Sequence, residues 1–319
     1  MTAHARPLST NAVPVRSASI RAVGDLRLLA WPALEASGAD AVVTARSGGV
    51  SSGPYATLNL SLSVGDDPGK VLENRRRLAV GLDANPDDFI FARQVHGAGV
   101  RVVGRADRGS GAFTLDDAID ETDALVTTSP GVVLAILTAD CVPIVLHDPV
   151  AGVLACVHAG WRGTVARVSA ATVVVMQSLG SHPSDVIAGV GPAASPARYQ
   201  VGTDVYRAVT RTFGSAAAAF LRPDSVPERW LLDTWEANRF VLREAGVPAA
   251  QIHVTDLTTG PANPTGHANP AKPVNPADPV NPVNPADPGS GYFFSDRAAR
   301  PCGRLALAAR LRAGRNPRM

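Results

Sequence analysis

Three almost wholly apolar runs crowd into one stretch of this chain, at residues 132–137, 142–146 and 153–158. Each is strand length, and none alternates apolar with polar. Such runs read as strands covered on both faces, so the sheet that carries them needs a further layer on each side. This predicts an α/β (α+β) fold, a layered sandwich of mixed β-sheet with flanking helices. Pro143 lacks an amide hydrogen, which predicts an edge or bulged strand for the second run. The third run leads directly into Val157-His158-Ala159-Gly160-Trp161-Arg162-Gly163. There a histidine leaves the strand, two glycines free the backbone, and an apolar pattern at helical spacing follows over residues 164–179.

The rest of the chain fits that frame. Residues 41–43 read as a strand that ends in a glycine loop carrying Arg46. Asp67 before Pro68 reads as a helix cap, with the helix continuing to about Val80. Residues 89–97 read as a strand with Phe89, Phe91 and Val95 on one side and Ala92, Gln94 and His96 on the other. Residues 104–122, rich in glycine and acids, read as a loop. A short strand follows at 186–190, then a helix at 204–213. Asp233-Thr234-Trp235-Glu236 resembles a capping box for a helix that stops at Gly246, and residues 252–254 read as a short strand. The alanine- and arginine-rich end, from about Arg304, reads as a helix.

Two segments stand apart. Residues 1–25 read as a poorly ordered tail, with 26–319 as a single catalytic domain. That domain is interrupted at 261–290, where proline recurs every third residue from Pro270 to Pro288. This is the period of polyproline II, and the insertion reads as a solvated, semi-stiff linker.

Composition excludes several classes of function. A net charge of +2, with scattered arginines, gives no footprint for nucleic acid or an anionic membrane. No run reaches the length of a membrane span. Three cysteines (Cys141, Cys156 and Cys302) make no disulfide framework and point to a reducing compartment, hence a cytoplasmic protein.

His96, Cys141 and His158 each end or interrupt an apolar run beside small residues, where a rigid sheet presents functional groups. Two imidazoles and a thiolate can hold zinc and leave a fourth position open for water, which makes such a site catalytic. Cys156 lies on the same strand face as His158 and is the alternative thiol. Arg162, between two glycines at a helix start, suits an anion, and Arg46 in its glycine loop is a second candidate.

Six segments, taken in order, resemble the YfiH-type laccase-domain family, whose members are described as purine nucleoside phosphorylases and peptidoglycan editing factors. They are Thr44-Ala45-Arg46-Ser47-Gly48-Gly49-Val50-Ser51, Gly65-Asp66, Arg93-Gln94-Val95-His96-Gly97, Thr138-Ala139-Asp140-Cys141, His158-Ala159-Gly160-Trp161-Arg162-Gly163 and Phe293-Phe294-Ser295. The resemblance implies Zn2+ on His96, Cys141 and His158. It also implies phosphorolysis of adenosine, inosine, guanosine and methylthioadenosine, with adenosine deamination as a second activity. Arg46, Arg162 and Asp140 would then orient the nucleoside and phosphate. The chain departs from the family at its C-terminal motif, where Asp296 replaces a tyrosine and Pro301-Cys302-Gly303-Arg304 replaces a Thr-Gly-Arg ending.

Two rival readings have their own warrants. A cysteine or zinc hydrolase editing peptidoglycan precursors would use Cys141 with His96 or His158. A non-enzymatic interaction protein would present the proline segment. A multicopper oxidase fits poorly, because the seven histidines include no His-x-His pair.

Overall fold

The computed structural model describes residues 17–255, 257–260 and 292–312. The proline-rich insertion at 261–290 lies outside the described residues. Among those described, no helix is long and apolar enough to cross a membrane.

Two six-stranded mixed sheets are stacked face to face. The first holds β1 (Ser19–Val23), β2 (Leu26–Ala30), β3 (Ala39–Thr44), β4 (Phe89–Phe91), β7 (Val133–Thr138) and β17 (Leu305–Leu311), in the order β1-β2-β3-β17-β7-β4. The second holds β5 (Val100–Val102), β6 (Ala124–Thr127), β8 (Val142–Asp148), β9 (Val153–Ala159), β10 (Ile187–Val190) and β15 (Ile252–Val254), in the order β15-β10-β8-β9-β6-β5. Smaller ladders pair β11 (Ala193–Ala194) with β16 (Thr258–Thr259), and β14 (Trp230–Leu232) with both β12 (Gln200–Val201) and β13 (Leu221–Pro223).

Strand alternation divides the core into layers. Leu134, Ile136, Leu305 and Leu307 of the first sheet meet Leu125, Val145, Leu154 and Cys156 of the second in the central layer. The outer face of the first sheet buries Val133, Ala135, Ala306 and Ala308 against Leu78 and Ala79 of helix α2 (Pro68–Gly81). The outer face of the second buries Ile144, Leu146, Ala155 and Val157 against α4 (Val168–Ser178) and α6 (Thr234–Glu244). This is the layered sandwich that the doubly apolar runs require. The remaining helices are α1 (Pro32–Ser37), α3 (Trp161–Val165) and α5 (Thr203–Phe213). Asp67 caps its helix by accepting from the Gly69 and Lys70 amides; of the box expected at Asp233 only half forms, Asp233 accepting from the Glu236 amide while the Glu236 carboxylate pairs with Arg239.

Four expectations need correction. The end of the chain from Arg304 is not a helix but β17, which sits between β3 and β7. At 100° per residue Leu305 and Leu307 would lie on different helix faces, whereas the two-residue period of a strand puts both in the central layer. Burial of each leucine contributes about 1.5–3 kcal/mol, far above the few tenths by which helix propensities differ. β8 is a central strand despite Pro143. The Pro143 carbonyl accepts from Gly191 N at 2.8 Å, beyond the last β8–β10 pair at Ile144 and Val190, so its missing donor falls where that ladder has ended. The apolar stretch 164–179 is two helices rather than one, because Arg167 takes a left-handed φ of +61° between α3 and α4. The poorly ordered tail expected over 1–25 does not hold at residues 19–23, which pair with β2 as an edge strand; with a half-exposed pattern, that strand carries little apolar signal.

Candidate metal centre

His158 is the next-to-last residue of β9, and strand parity points it into the central layer, on the same face as Cys156. Cys141 ends the crossing from β7 in one sheet to β8 in the other. His96 lies on the segment after β4, which is not strand beyond Phe91, contrary to the alternation expected through residue 97. Gln94 explains the path of that segment. Its side chain donates to the Leu137 carbonyl at 2.8 Å and accepts from the Leu137 amide at 2.8 Å, imitating one more rung of the β4–β7 ladder. His96 then turns with a φ of +61°.

The three side chains converge. One ligand atom from each of His96, Cys141 and His158 lies within 4.8 Å of the other two, and the imidazole centroids are 4.7 Å apart, edge to face. Gly160 lets them meet. A Cβ there would stand 2.9 Å from Cys141 Sγ and 3.1 Å from His96 Cδ2, so any side chain would push the ligands apart. His158 is buried, Cys141 half-buried and His96 exposed, so the cluster opens to solvent on one side. Cys156 is not part of it. It lies one pleat back in the apolar layer, where burial drives its thiol far above the ordinary range.

Asp123, just before β6, is the organising residue that sequence reading missed. Its buried carboxylate accepts from His158 Nδ1 at 2.8 Å and His96 N at 3.0 Å through Oδ1, and from Gly97 N at 2.7 Å and Val95 N at 3.2 Å through Oδ2. Burial works most strongly against its charge, yet the His158 bond and the backbone donors together hold it below the usual carboxylate range. An ionised carboxylate only accepts, so the proton of neutral His158 sits on Nδ1 and Nε2 is left to bind an ion. A carboxylate behind a ligating histidine is the usual outer support of a metal site.

The electrostatics favour a thiolate. Burial opposes ionisation of Cys141 most, but the charge of His158 and hydrogen bonds from His158 and His96 outweigh it and bring the thiol down to about 6. Burial also opposes the charged form of His158, but Cys141 and Asp123 raise it to about 9. Tyr199 lies in the same field, where burial first and then the Cys141 charge push its phenol up to about 12.

The other candidates lie at varied depth. Asp140 adopts a φ of +81° beside Cys141, and its carboxylate accepts from Thr259 Oγ1 of β16 and from the Arg297 amide at 2.7 Å. It ties the β7–β8 crossing to the C-terminal segment. Arg46 donates through Nε to the Ala56 carbonyl at 3.0 Å and lies 5.1 Å from the Phe294 ring centroid, so it braces the glycine loop. Arg162 is exposed, with its guanidinium 4.3 Å from the Trp161 ring centroid; α3 is too short for much helix dipole to assist it. Trp161 packs on the cluster built around α5 and α6.

Residues 40–264 match the family described as multi-copper polyphenol oxidoreductase laccase. The chain belongs to that family. A relative named purine nucleoside phosphorylase YlmD, from Geobacillus stearothermophilus, is 41% identical over 224 residues, spanning 70% of this chain and 81% of the relative. A protein named adenosine deaminase RL5, from an unknown prokaryotic organism, is 37% identical over 215 residues, spanning 67% of this chain and 82% of that protein. The crystal structure of Bacillus licheniformis hypothetical protein YfiH superposes with a TM-score of 0.79 at 29% identity, covering 92% of this chain and 99% of that one. The fold expected from the YfiH resemblance is therefore present. The several coppers of the family description find little support, since the described residues bring together a single three-residue group that could hold a metal, His96, Cys141 and His158.

Proposed function

We propose that this family member is a zinc-dependent purine nucleoside phosphorylase, with zinc held by His96, Cys141 and His158. The observation that carries the reading is the convergence of two imidazoles and a thiolate, backed by Asp123, in a chain whose relative bears that enzyme's name. Two nitrogens and one sulfur suit zinc, and three protein ligands leave a position for water or substrate. Bound zinc would supply Lewis acidity and a water of near-neutral pKa.

In phosphorolysis an oxygen of inorganic phosphate bonds to C1′ of the ribose as the C1′–N9 bond breaks. The purine leaves with the electron pair and takes up a proton. Arg162 suits the phosphate, because its guanidinium is exposed at the loop that follows His158. Asp140 has both carboxylate oxygens engaged within the fold, so it positions the wall of the site, whereas Arg46 spends Nε on the Ala56 carbonyl and keeps its two Nη groups for substrate. The substrates are adenosine, inosine, guanosine and methylthioadenosine, each with phosphate. Adenosine deamination is a second reading, favoured by the likeness to RL5; there water attacks C6 and ammonia leaves.

The test is incubation of the purified protein with inosine, with and without phosphate and chelator. The expected products are hypoxanthine and ribose 1-phosphate, formed only with phosphate and lost with the metal. Hypoxanthine release independent of phosphate would replace phosphorolysis with hydrolysis. Full turnover after metal removal would favour the thiol mechanism of a cysteine hydrolase. Loss of function on deleting residues 261–290, with metal content intact, would favour the interaction protein.

A further inference from the structure

Between Phe294 and β17 the chain carries three arginines, Arg297, Arg300 and Arg304, and they are not equivalent. Asp296, which stands where the family has tyrosine, accepts from Arg304 Nη2 at 2.9 Å and also pairs with Arg300. Arg297 has no carboxylate partner among the described residues. Its backbone amide is fixed on Asp140 Oδ2 at 2.7 Å, next in sequence to Cys141. Its guanidinium is exposed and lies 4.6 Å from the ring centroid of Tyr199, the residue whose phenol feels the Cys141 charge.

These contacts place an uncompensated, planar cation at the rim of the cluster. The backbone tether and the aromatic platform both limit its freedom. The guanidinium lies over the Tyr199 ring and bonds its hydroxyl, and with five N–H donors it keeps an edge for bidentate contact with a phosphate oxygen pair. Arg300 and Arg304 are less suited to that task because both are drawn to the Asp296 carboxylate. Neither composition nor spacing distinguishes Arg297 from its neighbours; the distinction lies in which of them Asp296 takes.

We propose that Arg297 binds the phosphate co-substrate of this site, held in place by Asp140 and Tyr199. The inference rests on the phosphorylase reading for its ligand, but the binding can be measured apart from turnover. Inorganic phosphate is titrated calorimetrically into the zinc-loaded full chain and into its R297Q and R297K variants, and the KM values for phosphate and inosine are measured alongside. The tether uses the backbone amide of residue 297, so R297Q keeps the Asp140 contact and should fold and hold metal like the parent.

A lost charge-assisted hydrogen bond predicts phosphate binding weakened about tenfold or more in R297Q. The phosphate KM should rise by a similar factor, with inosine KM and zinc content unchanged and partial recovery in R297K. Equal phosphate affinity in parent and R297Q overturns the assignment, as does a parent that binds no phosphate. Should the parent bind phosphate through Arg297 yet cleave no nucleoside, the anion site stands and the phosphorylase reading falls. Phosphorolysis with an unchanged phosphate KM in R297Q leaves that reading intact and removes Arg297.

Discussion

Asp123→Asn is the most informative substitution, because it keeps the shape of the side chain and removes one acceptor and the charge. In the native protein four donors converge on the carboxylate, two on each oxygen: His96 N and His158 Nδ1 on Oδ1, and Val95 N and Gly97 N on Oδ2. An asparagine keeps one oxygen. If it faces His158, the amide NH2 opposes the Val95 and Gly97 amides and the turn keeps only its His96 N bond. If it faces the loop, His158 must change tautomer and its Nε2 no longer offers a lone pair. The first orientation leaves two donors unpaired in a buried site and the second leaves one, His96 N, at about 1–3 kcal/mol each, so metal-free stability should fall by about 1–6 kcal/mol. Loss of such an outer-shell partner typically weakens metal binding about 10–100-fold, or about 1.4–2.7 kcal/mol. Competition with a chromophoric zinc chelator measures the affinity, and thermal unfolding of the metal-free protein measures the stability. A variant that melts lower yet binds zinc within about threefold of the parent would refute the orienting role and leave Asp123 as a structural anchor only.

Other outcomes follow from the same geometry. Gly160→Ala puts a methyl 2.9 Å from Cys141 Sγ, so zinc affinity measured by the same competition should fall about tenfold or more while the far-UV spectrum is unchanged. Cys156→Ala should leave zinc stoichiometry intact and cost about 1–2 kcal/mol in urea unfolding, since that thiol fills the apolar layer. In the metal-free protein, iodoacetamide should label Cys141 with a pH midpoint near 6, well below the 9.0 of an ordinary thiol; a midpoint near 9 would remove the thiolate–imidazolium pair. The stability linked to this lowered thiol is complete above pH 9.0 and is lost as pH falls through about 6. That linked to the raised His158 is complete below pH 6.5 and is lost as pH rises through about 9. The two slopes oppose each other between those limits, so urea midpoints of the metal-free protein should change little from pH 6.5 to 9, fall slightly as pH passes through about 6, and level off beneath it.

How much of this was legible in the sequence depends on how local each signal is. The doubly apolar runs required a covered sheet because burial on both faces is written into consecutive residues. The caps at Asp67 and Asp233 were readable for the same reason: donor and acceptor lie within one turn. β17 was not readable, since alternating leucine and alanine suits a helix until two strands distant in sequence are placed on either side of it. Pro143 misled in the same way, because the harm of a missing amide depends on where a neighbouring ladder stops.

The candidate site divides along this line. His96, Cys141 and His158 are rare residue types flanked by glycine or small residues, so they stand out even before partners are known. The groups that hold them are common types whose meaning comes from a distant partner: Gln94 from Leu137, Asp123 from His158, Asp140 from Arg297. Each joins segments that meet only once the two sheets have stacked. An aspartate at the end of an acid-rich loop, like an arginine among arginines, carries no mark of its role in sequence. The candidate ligands are therefore visible early, and the residues that hold them in place become visible only with the fold.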